Sequence, residues 1–380
     1  MRVLILGGTG FVGAAVARRL KAQGHQVAVF HRGRNCDREF PAHIHGDRSR
    51  LQAGSGAWAA FAPEVVVDAI AGSARAARQT LAEFGGGARR IVFLSSMEVY
   101  RAYGVFQGTE SGGIEPQPMT ESAPLRRHPG AYPASSQRRL RELCGWCEEG
   151  WDKLAMERAA SLPPAGVTIV RLGPVYGPGD RHGRLDRYWR PMAAGRSAIL
   201  LSQAWAAWRS PRGYVENVAA GIALAATSPR AAGRTYNLAD QVCFSELEWA
   251  RAMARAWGWR GRLVVAAPEL LPAHLQVGGN TAQALIADTT RIRRELGFDE
   301  PVPLETALAE SLAWSRADGP AAEAEAFQAA EDAALTRLGL LPLAGYSRSK
   351  ARNSSPITTN TQTLPSGPTV PPVIQREPCI

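Results

Sequence analysis

Lys153 is one of only three lysines in this chain of 380 residues, and the rest of its 44 basic residues are arginines. A lysine ammonium is a compact point charge whose pKa shifts readily when it is buried, whereas arginine is a planar, permanently charged fork. The stretch EGWDKLAMER at 149–158 therefore allows two interpretations. Lys153 either supplies a small ammonium to a ligand site, or lies on a solvated helix face where arginine would serve equally well.

A glycine-rich turn near the N-terminus, LILGGTGFVG, spaces Gly7, Gly10 and Gly13 three residues apart. Between a strand and a helix, the first glycine permits a tight turn and the second lets the backbone approach a pyrophosphate. The third allows close helix–sheet packing. The helix N-terminus adds amides and the positive end of its dipole. The motif predicts dinucleotide binding, against the alternative of a tight turn without a ligand.

The end of the second predicted strand carries basic residues where a carboxylate would mark NAD. An acidic residue there hydrogen-bonds a ribose 2′-hydroxyl, and a nearby arginine accommodates a 2′-phosphate. This chain has His31-Arg32-Gly33-Arg34 at that point. The pattern favours NADP over NAD, unless these arginines simply face solvent.

The cysteines do not indicate a metal site. Five are scattered along the chain, and Cys144-Gly-Trp-Cys147 is a single CxxC without a second pair or nearby histidines. A structural zinc site needs four ligands. We therefore expect no metal and no disulfide framework.

The elements that must position these residues alternate in type through the first half of the chain. Short continuous apolar runs predict strands at 2–6, 26–30, 43–46, 64–69, 90–95 and 167–172. Helical patterns lie between them at 11–23, 49–61, 73–84 and 151–161. Such alternation predicts an α/β fold with a Rossmann-type, doubly wound parallel sheet.

The rhythm changes after residue 172, where Gly/Pro loops and a Trp-rich stretch interrupt the pattern. We expect an NAD(P)-binding Rossmann domain over 1–172, to which later strands near 205–240 return. Residues 173–318 would form mainly a smaller C-terminal substrate-binding lobe, followed by a terminal helix at 319–342. The segment 343–380 is rich in Ser, Thr and Pro and predicts a disordered tail.

Composition narrows the class of protein. Net charge +10 and a pI near 9.8 could suggest nucleic acid, but the arginines are spread along the chain rather than clustered. Nucleic-acid binding is therefore not favoured. The apolar start of the chain is too short for a signal peptide, and no run approaches the length of a membrane helix. We expect a cytoplasmic protein, with a homodimer possible and no membrane partner.

Three motifs in order carry a resemblance to a known family. These are Gly7–Gly13 (GGTGFVG), Ser95–Tyr100 (SSMEVY) and Arg171–Gly179 (RLGPVYGPG). With them the chain resembles the extended short-chain dehydrogenases/reductases, and more specifically the NAD(P)-dependent epimerase/dehydratase family, which acts largely on nucleotide sugars. The resemblance covers about residues 1–316.

The resemblance implies roles position by position. Asp47 matches a carboxylate that bonds the adenine amino group, and Ser96 matches the serine that orients the reacting substrate oxygen. Arg212, in RGYVENVA, matches an arginine that commonly grips the nucleotide-sugar diphosphate. The remaining cofactor-binding positions implied are Gly7, Thr9, Gly10, Phe11, Val12, Gly13, Arg32, Arg48, Ala69, Ala71, Ser95, Lys153 and Pro174.

Lys153 matches the lysine of the family's Tyr-x-x-x-Lys pair, which bonds the nicotinamide ribose and lowers the pKa of the tyrosine. Here the position four residues earlier is Glu149. Three interpretations stay open. Glu149 or Glu98 acts as acid and base, or a tyrosine from elsewhere fills the gap, or the protein binds dinucleotide without redox chemistry. The candidate tyrosines are Tyr100, Tyr103 and Tyr132.

The sequence thus favours an NAD(P)-dependent epimerase, dehydratase or reductase acting on a nucleotide-linked or phosphorylated sugar. Ser96, Lys153, Glu149 and Glu98 are its candidate catalytic residues. The alternative is a non-redox dinucleotide-binding regulator or RNA-associated protein, which the missing tyrosine favours.

Overall fold

The computed structural model describes residues 1–33, 42–51, 58–128, 150–161, 166–276, 278–318 and 325–340. Several residues and segments singled out above lie outside these ranges: Arg34, Tyr132, Cys144, Cys147, Glu149 and the tail 343–380.

Seven parallel strands form the central sheet, in the order β10-β6-β5-β4-β1-β2-β3. The Rossmann-type sheet predicted from the alternating pattern is confirmed. Residues 3–6 and 65–68 are fully buried, because helices cover both faces of a parallel sheet. The seven strands are β1 (Arg2–Leu6), β2 (Gln26–His31), β3 (Ala42–His45), β4 (Val65–Asp68), β5 (Arg90–Ser96), β6 (Val167–Leu172) and β10 (Thr235–Leu238).

Four shorter strands form two parallel pairs outside this sheet, β8 with β11 and β7 with β9. Their bounds are β7 (Val175–Tyr176), β8 (Ala198–Ser202), β9 (Gly213–Tyr214) and β11 (Arg262–Ala266). The α-helices of the described residues are α1 (Phe11–Ala22), α2 (Ala74–Phe84), α3 (Arg101–Gln107), α4 (Lys153–Ala160), α5 (Asp186–Ala193), α6 (Gln203–Ala207), α7 (Val215–Thr227), α8 (Glu246–Trp257), α9 (Thr290–Leu296), α10 (Leu304–Asp318) and α11 (Glu325–Arg337).

Alternate residues of each strand enter two separate cores. On one face Val3 and Ile5 pack with α1 and α7, and on the other face Leu4 and Leu6 pack with α2 and α4. A third, smaller cluster holds α11 against β8 and β11 through Ala334 and Leu335. No helix within the described ranges is long and apolar enough to cross a membrane.

The chain order reverses direction between β1 and β4, which are neighbours in the sheet. In open α/β sheets, ligands bind outside the carboxyl ends of the strands at such a switch point. The turn after β1, the loop after β4 and the end of β5 therefore meet where a ligand is expected.

The prediction of a helix over 49–61 is wrong for its first turn. The structure has a short 3-10 turn at Arg48–Arg50, capped by the Asp47 side chain, and an irregular turn from 58. The Asp47 carboxylate accepts the Ser49 N–H and hydroxyl, which gives the backbone an alternative to the α-helix. Residues 52–57 lie outside the described ranges.

Candidate active site

The glycine turn has the geometry that its spacing predicts. Gly7 has a positive φ of 83°, and a Cβ there would lie 2.4 Å from Ile70 Cγ2. A Cβ on Gly13 would lie 2.2 Å from the Gly7 carbonyl oxygen, so α1 can approach β1 this closely only with glycine at 13. Both positions exclude a side chain for reasons internal to the fold.

Gly10 differs, because the fold leaves room there. A Cβ on Gly10 would meet only the Gly7 carbonyl oxygen, at 3.3 Å, and the residue is exposed. Gly10 is the N-cap of α1 and supplies no side-chain hydrogen bond, so the first amides of the helix stay available to a phosphate. Thr9, Phe11 and Val12 are partly exposed around it. This cradle fits the pyrophosphate of a dinucleotide.

At the predicted adenosine end, Arg32 is exposed directly after β2. Its neighbour His31 accepts the Gly33 N–H at Nδ1, 3.0 Å away, so Nε2 must carry the proton given to His43 Nδ1, 2.8 Å away. Desolvation first, and then His45 and His43, lower the pKa of His31. Among these residues Arg32 supplies the cationic charge.

Arg48 points into the protein. Its guanidinium lies 2.7 Å from the buried Asp68 carboxylate and donates to Ala76 O and Thr80 Oγ1, each at 2.8 Å. Asp68 ends β4 and also accepts the N–H groups of Ile70 and Ala71. A cofactor role for Arg48 stays a prediction, while its contacts fix the loop after β4.

Lys153 does not lie on a solvated helix face, so that interpretation is wrong. The residue is 7% exposed, and its Nζ donates to Ala71 O and Leu94 O, each at 2.7 Å. The ammonium also lies 4.7 Å from the centre of the Trp151 ring. Lys153 therefore joins α4 to the end of β5 and to the loop after β4, where Ala69 N–H donates to Leu6 O.

Glu98 lies in the short 3-10 turn after β5, two residues beyond Ser96. The Ser96 hydroxyl accepts the Glu98 N–H at 3.2 Å, so the serine does cap the strand end. Burial raises the pKa of Glu98 to about 7, against the opposing influence of Arg126 and Lys153. In the described structure the Glu98 Oε1 is buried and makes no hydrogen bond. Ser96, Glu98 and Lys153 are thus brought into one region.

Tyr100 does not supply a phenol to this region. It is fully buried, its hydroxyl donates to Asn237 Oδ1 at 2.6 Å, and it accepts from Arg171 at 2.9 Å. Arg171 in turn pairs with Glu157 of α4, which accepts the Ser95 hydroxyl. Tyr103 is different, because its buried hydroxyl has no partner within the described ranges.

Two supporting residues were not anticipated from the sequence. Arg126 is 2% exposed, donates from Nε to Glu98 O at 2.7 Å, and pairs with Asp152 at 3.1 Å. Asp152 caps α4 by accepting the Leu154 N–H. An aspartate directly before a helical pattern is a recognisable cap signal, whereas nothing local marks Arg126. Together they lock the Glu98 turn to the helix that carries Lys153.

On the substrate side, Pro174 and Arg212 lie on neighbouring segments, with Gly213 N–H donating to Pro174 O. Arg212 Nη2 lies 2.5 Å from Glu246 Oε1, and Glu246 is fully buried. The guanidinium also stacks 4.9 Å from the centre of the Trp249 ring. A substrate role for Arg212 stays a prediction, and its present partner is internal.

Comparison with known proteins agrees with this geometry. The model of the NAD dependent epimerase/dehydratase family matches residues 3–239. A 2′-dehydrokanamycin reductase from Streptomyces kanamyceticus is 31% identical over 251 residues, covering 63% of this chain and 62% of that protein. The chloroplast stem-loop binding protein of 41 kDa b from Arabidopsis thaliana is 24% identical over 283 residues, covering 68% and 64%.

The chain spans less than two thirds of the length of these two curated relatives, at 62% and 64%. Among solved structures, MoeE5 in complex with UDP-glucuronic acid and NAD has a TM-score of 0.59 and 19% identity. It covers 84% of this chain and 100% of its own. At that identity the likeness shows the fold. The family match and the glycine turn at the switch point of a Rossmann-type sheet show that the chain belongs to the NAD dependent epimerase/dehydratase family.

Proposed function

We propose that this protein is an NAD(P)-dependent epimerase, dehydratase or reductase that oxidises or reduces a carbon of a sugar substrate. When bound, the nicotinamide supplies the hydride chemistry. Gly7, Gly10 and Gly13 would hold the pyrophosphate, and Arg32 would favour NADP over NAD. Ser96 would orient the reacting oxygen, and Lys153 would hold the ribose side of the cofactor.

The observation that carries this proposal is the Glu98 carboxyl. Its pKa of about 7 means that protonated and ionised forms coexist at neutral pH, as a group that both gives and takes a proton requires. Its buried Oε1 makes no hydrogen bond within the described residues, so one acceptor position of the carboxyl is unused. Glu98 would then take the part of the family's tyrosine, whose position four residues before Lys153 is Glu149 in this chain.

Lys153 and Arg126 keep that carboxyl from remaining permanently protonated. Both cations lower the pKa of Glu98, while burial, the largest influence, raises it. The Arg126–Asp152 pair and the bond from Arg126 to Glu98 O fix the turn geometrically. The result is a positioned carboxyl group tuned to neutral pH.

Names of related proteins support a sugar as the substrate. The MoeE5 structure contains UDP-glucuronic acid, which supports the predicted nucleotide-linked or phosphorylated sugar. The relative from Streptomyces kanamyceticus is named for 2′-dehydrokanamycin, which supports a reductase of a sugar without a nucleotide.

The test is Glu98→Gln, which keeps the shape and removes the titrating proton. NAD(P)-loaded protein is screened at the reduced-nicotinamide absorbance against nucleotide sugars and unconjugated sugars. We expect kcat to fall roughly 10²- to 10⁴-fold and the limb of the pH–rate profile near pH 7 to disappear. Cofactor affinity should stay unchanged. Glu305→Gln, on the exposed side of α10, is the control. A Glu98→Gln enzyme with the parent's rate and pH profile would refute the assignment.

A second candidate is a non-redox, RNA-associated dinucleotide-binding protein. The Arabidopsis relative named for stem-loop binding and the net charge of +10 favour it. A gel shift with an RNA stem-loop, combined with absence of turnover on every sugar tested, would support this function in place of the enzyme.

A further inference from the structure

Arg212, which the family resemblance matches to a diphosphate-gripping arginine, is paired with a carboxylate inside the protein. Its Nη2 lies 2.5 Å from Glu246 Oε1. Glu246 is 0% exposed, and its second oxygen accepts the Tyr188 hydroxyl at 2.5 Å. A guanidinium that turned away to grip a phosphate would leave a buried carboxylate without its cation, which is strongly unfavourable.

The surroundings hold Arg212 in this position. The Trp249 ring covers one face of the guanidinium, with its centre 4.9 Å away. The backbone of Glu246 is fixed by its N–H bond to Trp208 O, and Trp205 Nε1–H donates to the Tyr188 hydroxyl at 3.3 Å. Arg212 and Glu246 therefore form a closed, net-neutral pair.

Two further arginines in this part of the chain also have carboxylate partners, and a third lies over an aromatic ring. Arg209 lies 3.1 Å from Glu248, and Arg184 lies 3.5 Å from Asp180. Arg187 lies over the Trp205 ring, 5.0 Å from its centre. A diphosphate brought here would meet carboxylates that offset most of the attraction from the guanidinium groups.

What these residues leave available is a set of single hydrogen-bond donors. Among the buried side-chain donors of the described residues that make no hydrogen bond are Tyr103 Oη, Arg184 Nε, Arg187 Nη2, Arg212 Nη1 and Trp249 Nε1. Separate single donors suit hydroxyl, ether or carbonyl oxygens, whereas a diphosphate favours a paired fork. Such donors are matched by a polyhydroxylated molecule.

One of these donors, the Tyr103 hydroxyl, lies within electrostatic reach of the proposed proton-transfer group, Glu98. Burial, followed by the nearby Cys243 and Glu98, raises the pKa of Tyr103. Cys243 in turn lies within electrostatic reach of Arg212 and Glu246, and Tyr188 lies within reach of Arg187. Tyr103 is thus within electrostatic reach of both Glu98 and Cys243, and Cys243 is within reach of the Arg212–Glu246 pair.

We infer that the substrate is an unconjugated sugar or glycoside without a diphosphate. The Glu246 carboxylate selects against a diphosphate, because it pairs with Arg212, which would otherwise bind the diphosphate. This inference rests on the proposed sugar oxidoreductase function and narrows its substrate class. It departs from the nucleotide-linked substrate that the family resemblance implies.

The test measures binding without turnover. Binding of UDP and UDP-glucose to NAD-loaded protein is followed by calorimetry for the parent, Glu246→Gln, and the double variant Glu246→Gln/Arg212→Met. We expect no binding to the parent below roughly 1 mM. Glu246→Gln should gain roughly ten- to a hundredfold in affinity, because a charge-assisted bond to phosphate becomes possible. The double variant should lose that gain, and Glu305→Gln should match the parent.

Two results would overturn the inference. One is micromolar UDP-glucose binding by the parent that Arg212→Met abolishes. The other is a Glu246→Gln variant that keeps the parent's melting temperature and gains no affinity. Neither depends on hydride transfer, whereas failure of the proposed function would appear as absence of turnover with every sugar, including unconjugated ones.

Discussion

The two ends of the proposed site are built by different means. At the pyrophosphate end, Gly7, Gly10 and Gly13 shape a single turn, and the interacting groups would be backbone amides. At the proton-transfer end, Glu98, Arg126, Lys153 and Arg212 come from distant segments and act through side chains. The first end requires small residues at fixed spacing, and the second requires long-range packing.

The ends also differ in what they contribute to stability. The glycine turn leaves no charge buried. The other end buries carboxyl groups whose pKa is raised to about 7, namely Glu98 and also Asp240, which accepts the Tyr214 N–H. Raised carboxyl pKa values destabilise the folded state at neutral pH. The proposed proton transfer therefore lies in the part of the site where buried carboxyl groups lower the free energy of unfolding at neutral pH.

The largest expected effect separates two glycines of one turn. Gly13→Ala would force a Cβ to within 2.2 Å of the Gly7 carbonyl oxygen, and it should cost roughly 3 kcal/mol or more in the free energy of unfolding. Gly10→Ala meets that oxygen at 3.3 Å and should fold, yet bind dinucleotide weakly because the methyl group fills the cradle. Urea denaturation and cofactor titration measure both. Equal loss of stability in the two variants would contradict this division.

At the other end, Glu98→Gln should change how stability depends on pH. The folded pKa is about 7 and the ordinary value is 4.5, so between these pH values the folded state retains a proton that the unfolded chain has lost. The contribution of Glu98 to the parent's free energy of unfolding is fully present below pH 4.5 and is lost as the pH rises through 7. The loss amounts to roughly 3 kcal/mol.

The glutamine variant lacks this loss, so its stability relative to the parent should increase over that window. Denaturation midpoints at pH 4.5, 6 and 8 measure the difference. Glu305→Gln should show a flat difference, and a flat difference for Glu98→Gln as well would mean that this carboxyl ionises normally in the folded protein.

Lys153 links the two ends, and its replacement should have an intermediate effect. Lys153→Met removes the donor to Ala71 O and Leu94 O and should weaken cofactor binding about ten- to a hundredfold. Lys153→Arg should also be impaired, because a planar fork does not fit a buried point-charge site. Lys21→Met, on the exposed end of α1, is the control. Parent-like cofactor affinity in Lys153→Arg would argue against a ribose contact.

The sequence predicted the elements whose signal is local. The run VVVD and the glycine turn identified β4 and the β1–α1 unit because burial on both faces demands continuous apolar strands. The sequence did not predict β8 and β11. Ala198 pairs with Arg262 across more than sixty residues, and neither strand belongs to the regular alternation of strands and helices. Pairing at that distance leaves no mark in either segment alone.

The same distinction between local signals and long-range contacts applies to the residues of the candidate site. Lys153 stood out because lysine is scarce in this chain, and Glu98 because it follows Ser96 by two residues. Their partners did not stand out. Arg126 is one of many arginines, and the residue that neutralises Arg212 lies 34 positions further along, on α8. Only the folded arrangement shows which of the many ion pairs belong to the site.

The smallest expected effect concerns cofactor choice at the exposed end of β2. Arg32→Asp replaces a cation by a carboxylate that can accept a ribose 2′-hydroxyl and repels a 2′-phosphate. Because Arg32 is exposed and screened by solvent, the ratio of NADPH to NADH affinity should fall only about two- to fivefold.

Arg260→Asp makes the same change in net charge before β11 and should leave that ratio unchanged. Fluorescence titration with both reduced cofactors measures it. His31, whose pKa is lowered by burial, does not replace the lost charge at neutral pH, so an unchanged ratio in Arg32→Asp would place the 2′-phosphate contact elsewhere. Such a result would also show that the glycine motif specifies the pyrophosphate turn and does not specify the choice between NADP and NAD. This limit would then apply even to the cofactor end, which is the part of the site that the sequence predicts most directly.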